Sequence, residues 1–124
     1  MHGVAARMEG MRPEVVDELE EFVRRGGVWD AADLDALVLR LEDEAEQQHD
    51  AIPHLLAQPL RALRVRLGMG DITPRMANDV EGILYPRIWK VMEAARDGLP
   101  DGELRTRIEV LNRRLSRRLV EERP

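Results

Sequence analysis

No cysteine occurs in the chain, which excludes disulfides, thiolate catalysis and thiolate-ligated zinc. Aromatic residues make up only 3% of the 124: one Phe, one Tyr and two Trp. A core must therefore be assembled from Leu, Val, Ile, Met and Ala, which suit helices, whereas sheets draw on more aromatic residues and Thr. Hydroxyl groups are as scarce, with one serine, Ser116, and two threonines, Thr73 and Thr106. Lysine occurs once against eighteen arginines. No apolar run approaches the ~20 residues of a membrane span, and "MHGVAARMEGM" lacks the apolar stretch of a signal peptide. A cytoplasmic protein without membrane contact is expected. Residues 1–11, with Met1, Met8 and Met11 as possible starts, read as a disordered N-terminal extension, and residues 12–124 as a single helical domain.

Charge is plentiful, at 35% of residues, and unevenly spread around a net −5. Through Leu60 there are 14 acids and 5 bases; from Arg61 onward there are 14 bases and 10 acids. Such asymmetry either marks a basic partner-binding face or lets two halves complement each other, within one fold or across a dimer. The second reading is the simpler one.

Five helical patterns follow one another, with no strand-like alternation. The first starts at Pro13, carries Val15, Val16, Leu19, Phe22 and Val23 on one face, and stops at Gly26-Gly27. The second is capped by Asp30, carries a stripe of Leu34, Leu37, Val38, Leu41, Ala45, Gln48 and Ile52, and runs to about Asp50. Trp29, in the tight link between these two, is placed to plug the end of a helical hairpin. Pro53 disfavours continuation of the second helix, and a shorter third helix begins at Leu55 or Pro59 and ends near Leu67. Thr73 caps a fourth helix that opens with Pro74 and runs to about Asp97. Asp101 caps a fifth, whose Leu104, Ile108, Leu111, Leu115 and Leu119 form a narrow seam. The fold class is all-α: a compact bundle of an acidic hairpin, a short connector, a central helix kinked by proline and a basic C-terminal helix.

The central helix contains "GILYPRIW". Its apolar stripe keeps one phase on both sides of Pro86, and the carbonyl that the ring would strike belongs to Gly82, which yields most easily. A bend is expected, not two helices. Its apolar residues cover over half the circumference, with Tyr85 and Trp89 extending one edge. Such a helix is central or shared between subunits, so Tyr85, Ile88, Trp89 and Met92 are interface candidates.

Catalytic chemistry finds few players. Ser116 sits among arginines without a nucleophile-elbow sequence, and "GMGDIT" lacks the strand and third glycine of a dinucleotide site. Glu46 and His49 have the Glu-x-x-His spacing of di-iron bundles, with His54 as a further ligand, but Glu46 points away from the core stripe. No enzyme, metal or cofactor is expected. In the fifth helix Arg107, Arg113, Arg114, Arg117 and Arg118 fall along one flank, and Arg61, Arg64 and Arg66 form a smaller cluster. Guanidinium stripes contact phosphates. The first expectation is a non-enzymatic adaptor or regulatory protein acting through protein–protein contact, as a homodimer. Nucleic-acid binding through the helix-five arginines comes second, and a small metal-binding bundle third.

Overall fold

The computed structural model describes residues 11–121, and within them the chain folds as five α-helices with no strand. They are α1 (Pro13–Arg25), α2 (Ala31–Gln48), α3 (Ala51–Met69), α4 (Pro74–Arg96) and α5 (Asp101–Glu121), with a short 3-10 turn at Gly27–Trp29. No helix among the described residues is long and apolar enough to cross a membrane.

Local chemistry sets the helix ends. Gly26 terminates α1 at φ 68°, a left-handed conformation that glycine adopts without Cβ strain, and its N–H bonds to the Phe22 and Val23 carbonyls. Asp30 accepts from the Ala32 and Asp33 amides at 2.9 and 3.3 Å and so starts α2. Thr73 does the same for α4 through the Met76 amide at 3.1 Å. In α5 the Leu104 amide bonds to the Pro100 carbonyl at 3.2 Å, which leaves Asp101 within the first turn and not ahead of it as the cap.

The third helix departs most from expectation. It begins at Ala51, well before Leu55, because the Asp50 carboxylate accepts from the Ile52 amide at 3.0 Å. Pro53 falls in the first turn, where no intrahelical N–H bond is required. Pro59 lies inside the helix and is buried. Proline therefore marks a start here, not a stop. In α4 the chain runs through Pro86 as one helix, and Gly82 four residues earlier is open to solvent, with nothing within 4 Å of where a Cβ would sit.

One core joins all five helices. Its fully covered members include Leu19, Leu41, Leu60, Leu84 and Leu111, one from each helix. Each such side chain contributes about 1.5–3 kcal/mol on burial. The most extensive pairings are α2 with α3 and α4 with α5, while α1 lies across both α2 and α4. The expected α1–α2 hairpin is thus the lesser partnership. Met11, assigned from the sequence to an extension, is buried in the core; residues 1–10 lie outside the described residues.

Candidate anion-binding face on α4 and α5

The wide apolar arc of α4 is covered by the chain itself. Met76, Val80, Leu84, Ile88, Val91 and Met92 are all buried. Ile88 at 0% and Met92 at 1% exposure cannot meet a partner, so these two interface candidates are core residues. The reason is that α1 and α5 cover the two sides of the arc.

The two flanks of α4 then differ in kind. On the flank facing α1, Glu81, Tyr85 and Trp89 succeed one another at one-turn spacing. The Trp29 indole N–H donates to the Glu81 carboxylate, which ties the 3-10 turn to α4. Tyr85 is half-buried, and its hydroxyl lies 3.5 Å from where a Cβ on Gly26 would be. That hydroxyl has no hydrogen-bond partner among the described residues. Burial raises its pKa, and the nearby Val28 backbone, outside hydrogen-bonding geometry, offsets this only in part. Trp89 is 37% exposed. The aromatic edge therefore serves contact within the chain first, and only Trp89 retains an open face.

The flank facing α5 carries Asp79, Ile83, Arg87 and Lys90. Two contacts fix its register against α5: Arg107 donates to the Lys90 carbonyl at 2.7 Å, and Arg118 to Asp79 at 2.7 Å. These lie eleven residues apart on each helix (90 − 79 and 118 − 107), so the pair is antiparallel and Ile83 comes opposite Arg114. Between the helices runs an open groove of about 470 Å³, lined by Ile83, Val110, Arg113, Arg114, Arg117 and Arg118. The sequence explains why these residues share it: on α5 Arg114 and Arg118 fall beside the leucine seam, and Val110, Arg113 and Arg117 continue outward from them at three- and four-residue spacing.

Counter-charge decides what this groove can do. Arg107 is satisfied by Glu103 at 3.0 Å, and Arg118 is shared with Asp79. Arg113, Arg114 and Arg117 are exposed and make no ion pair with any described side chain, and residues 110–120 contain no acid. Beside the groove, the buried Nε of Arg87 has no hydrogen-bond partner among the described residues. Of the five arginines singled out from the sequence, four border one groove and Arg107 stands apart.

The proposed metal ligands fare differently. Glu46, His49 and His54 border a concavity of about 520 Å³ together with Glu42 and Asp50. His54 is engaged by Glu42 at 2.6 Å through Nδ1 and by Gln58 at 3.3 Å through Nε2. His49 caps α2 in the left-handed conformation, at φ 52°, which turns its side chain into solvent. Among the described residues no three His, Cys, Asp or Glu side chains come together as metal ligands do.

One polar feature was not anticipated. Glu44 is 1% exposed, the only buried charged residue among those described. Arg12 grips it with two bonds, 2.7 and 2.9 Å, and Arg40 adds a third at 3.1 Å while also binding Glu18 at 2.8 Å. The Arg12 bond holds the Glu44 carboxyl below the usual carboxylate range. In the sequence Glu44 is one acid in the run "EDEAE", three residues past Leu41, and only its position beside the core stripe hinted at burial.

Comparison of the chain with protein-family models, with curated proteins and with solved structures finds no match.

Proposed function

We propose that this protein is a non-enzymatic binding module, adaptor or regulatory in role, whose working surface is the α4–α5 groove and whose ligand is anionic. One observation carries the reading: three neighbouring arginines of α5 face a groove without a described counter-charge, in a chain where most other arginines are paired. Exposed guanidiniums held side by side repel one another, and an anion relieves that repulsion while accepting their fixed fork of donors. The acidic balance of the whole chain does not weigh against this, because more acids lie in the first half than the second and many of them are taken up by internal pairs. Salt-dependent retention on a heparin column, abolished in Arg113→Glu/Arg114→Glu/Arg117→Glu, is the expected result. Passage of the wild-type chain through the column at low salt would remove the proposal. A cytoplasmic location is part of it, tested by cell fractionation.

Self-association is a second reading, supported by the open face of Trp89. With Ile88 and Met92 covered by the chain's own helices, the contact would rest on Trp89 and its rim. Light scattering after size exclusion tests it: a dimer that Trp89→Ala dissociates is expected, and a wild-type monomer at high concentration eliminates it.

A further inference from the structure

We infer that the α4–α5 groove seats the phosphodiester backbone of double-stranded nucleic acid, held without regard to base sequence. This rests on the anionic-ligand reading above and names its chemistry. Three features of the groove point to a linear phosphate polymer. Its cations form two short rows along α5, Arg113 with Arg117 and Arg114 with Arg118, the members of each row one helical turn apart, about 6 Å at 1.5 Å rise per residue. A nucleic-acid strand advances ~3.4 Å per phosphate along its axis, so about two phosphate intervals span the ~6 Å between the two arginines of a row. All four are arginines, whose planar fork matches phosphate oxygens bidentately. The floor is aliphatic, Ile83 and Val110, and offers no stacking platform. Single strands are gripped chiefly by bases stacked on aromatic rings, so the groove suits a duplex, whose bases are already stacked. Contacts of this kind position a duplex and carry no sequence information. An acidic protein surface is the competing occupant; a phosphate strand supplies anions at a regular interval along the two rows, which carboxylates scattered over a folded surface do not.

The test is fluorescence anisotropy with the full chain and a labelled 20-base-pair duplex of arbitrary sequence, beside a labelled single strand of the same sequence and labelled poly-glutamate. Taking Arg113, Arg114 and Arg117 as three phosphate-neutralising charges, log K should fall with log salt at a slope of about −2.7, a roughly 40-fold weakening between 50 and 200 mM. Arg113→Gln/Arg117→Gln, both exposed, should fold normally and reduce that slope by about 1.8. Arg105→Gln, on the opposite flank of α5, should change affinity less than about twofold. Binding of poly-glutamate without the duplex would overturn this inference and leave the anion-binding reading standing. Binding of neither would remove both. Duplex binding that the double variant leaves unchanged, or a preference for the single strand, would also overturn it.

Discussion

The helices α1–α3 and the pair α4–α5 handle arginine in opposite ways. In the first region all seven described arginines are in ion pairs: Arg12 with Glu44, Arg24 with Glu20, Arg25 with Asp33, Arg40 with Glu18, Arg61 with Glu42, Arg64 with Asp35 and Arg66 with Asp71. In the second, only Arg96, Arg107 and Arg118 find an acid among the described side chains, while Arg75, Arg87, Arg105, Arg113, Arg114 and Arg117 do not. The difference teaches that an arginine-rich chain is not thereby a polyanion binder. Charge that is answered inside the fold adds modestly to stability, and only the unanswered remainder is available to a ligand.

The largest expected effect tests whether the two regions share one core despite their surfaces. Ile88→Ala on α4 and Leu41→Ala on α2 should each lower unfolding free energy by about 3 kcal/mol in urea titrations, since both are fully covered. A cost below about 1 kcal/mol for Ile88→Ala would return that residue to the surface and revive it as an interface residue.

Next comes the buried carboxylate. Glu44→Gln should cost about 2 kcal/mol, because charge-assisted bonds from two arginines are lost. Arg12 and Arg40 are partly exposed and can regain water, which keeps the loss below that of breaking a fully buried pair. The same group gives the first region an acid sensitivity. Glu44 and Glu20 are held below the ordinary glutamate value of about 4.5 by hydrogen bonds from Arg12 and Arg96 respectively. Desolvation pushes Glu42 up, but bonds from His54 and Arg61 outweigh it and hold it down too. A folded-state pKa below the unfolded one means the stabilisation is complete above about pH 4.5 and is lost as pH falls through the lowered folded values. Urea midpoints should therefore decline on acidification below that point, and Glu44→Gln should flatten the decline. An identical acid limb in the variant would show that Glu44 plays no part.

A smaller gain is expected from His49→Gly. A non-glycine residue at φ 52° carries a Cβ penalty, so relief should raise stability by about 1 kcal/mol in thermal melts. Stability unchanged or lower would indicate that the imidazole has a role that its exposed position does not reveal. The smallest effect sharpens the opening contrast most directly. Arg113→Gln should alter stability by less than about 0.5 kcal/mol, whereas Arg40→Gln, which releases Glu18 and Glu44, should cost about 1 kcal/mol or more. Equal costs at the two positions would erase the distinction between paired and unpaired cations.

Much of the fold was legible. The stripes of α1 and α4 and the five-residue seam of α5 are buried as their spacing implied, because a period near 3.6 reports directly which face leaves water. The start of α3 was not legible, since Pro53 reads equally as a terminator of one helix or a first-turn residue of the next. Asp50 decides between them, and a lone Asp before an apolar residue is a weak signal. The groove was half legible. The flank holding Val110, Arg113, Arg114, Arg117 and Arg118 follows from α5 alone, but Ile83 joins it only through the antiparallel register with α4.

The sequence by itself determined that the protein is helical, where α1, α2 and α4 begin and end, and most of the apolar residues that make the core. Those properties depend on neighbours within a turn or two of the chain. Only the tertiary structure decided which charges are answered. Arg12 and Glu44, 32 residues apart, become partners, while Arg113, Arg114 and Arg117 are left facing a groove; ion pairing depends on which helices meet, and no spacing along one helix records that.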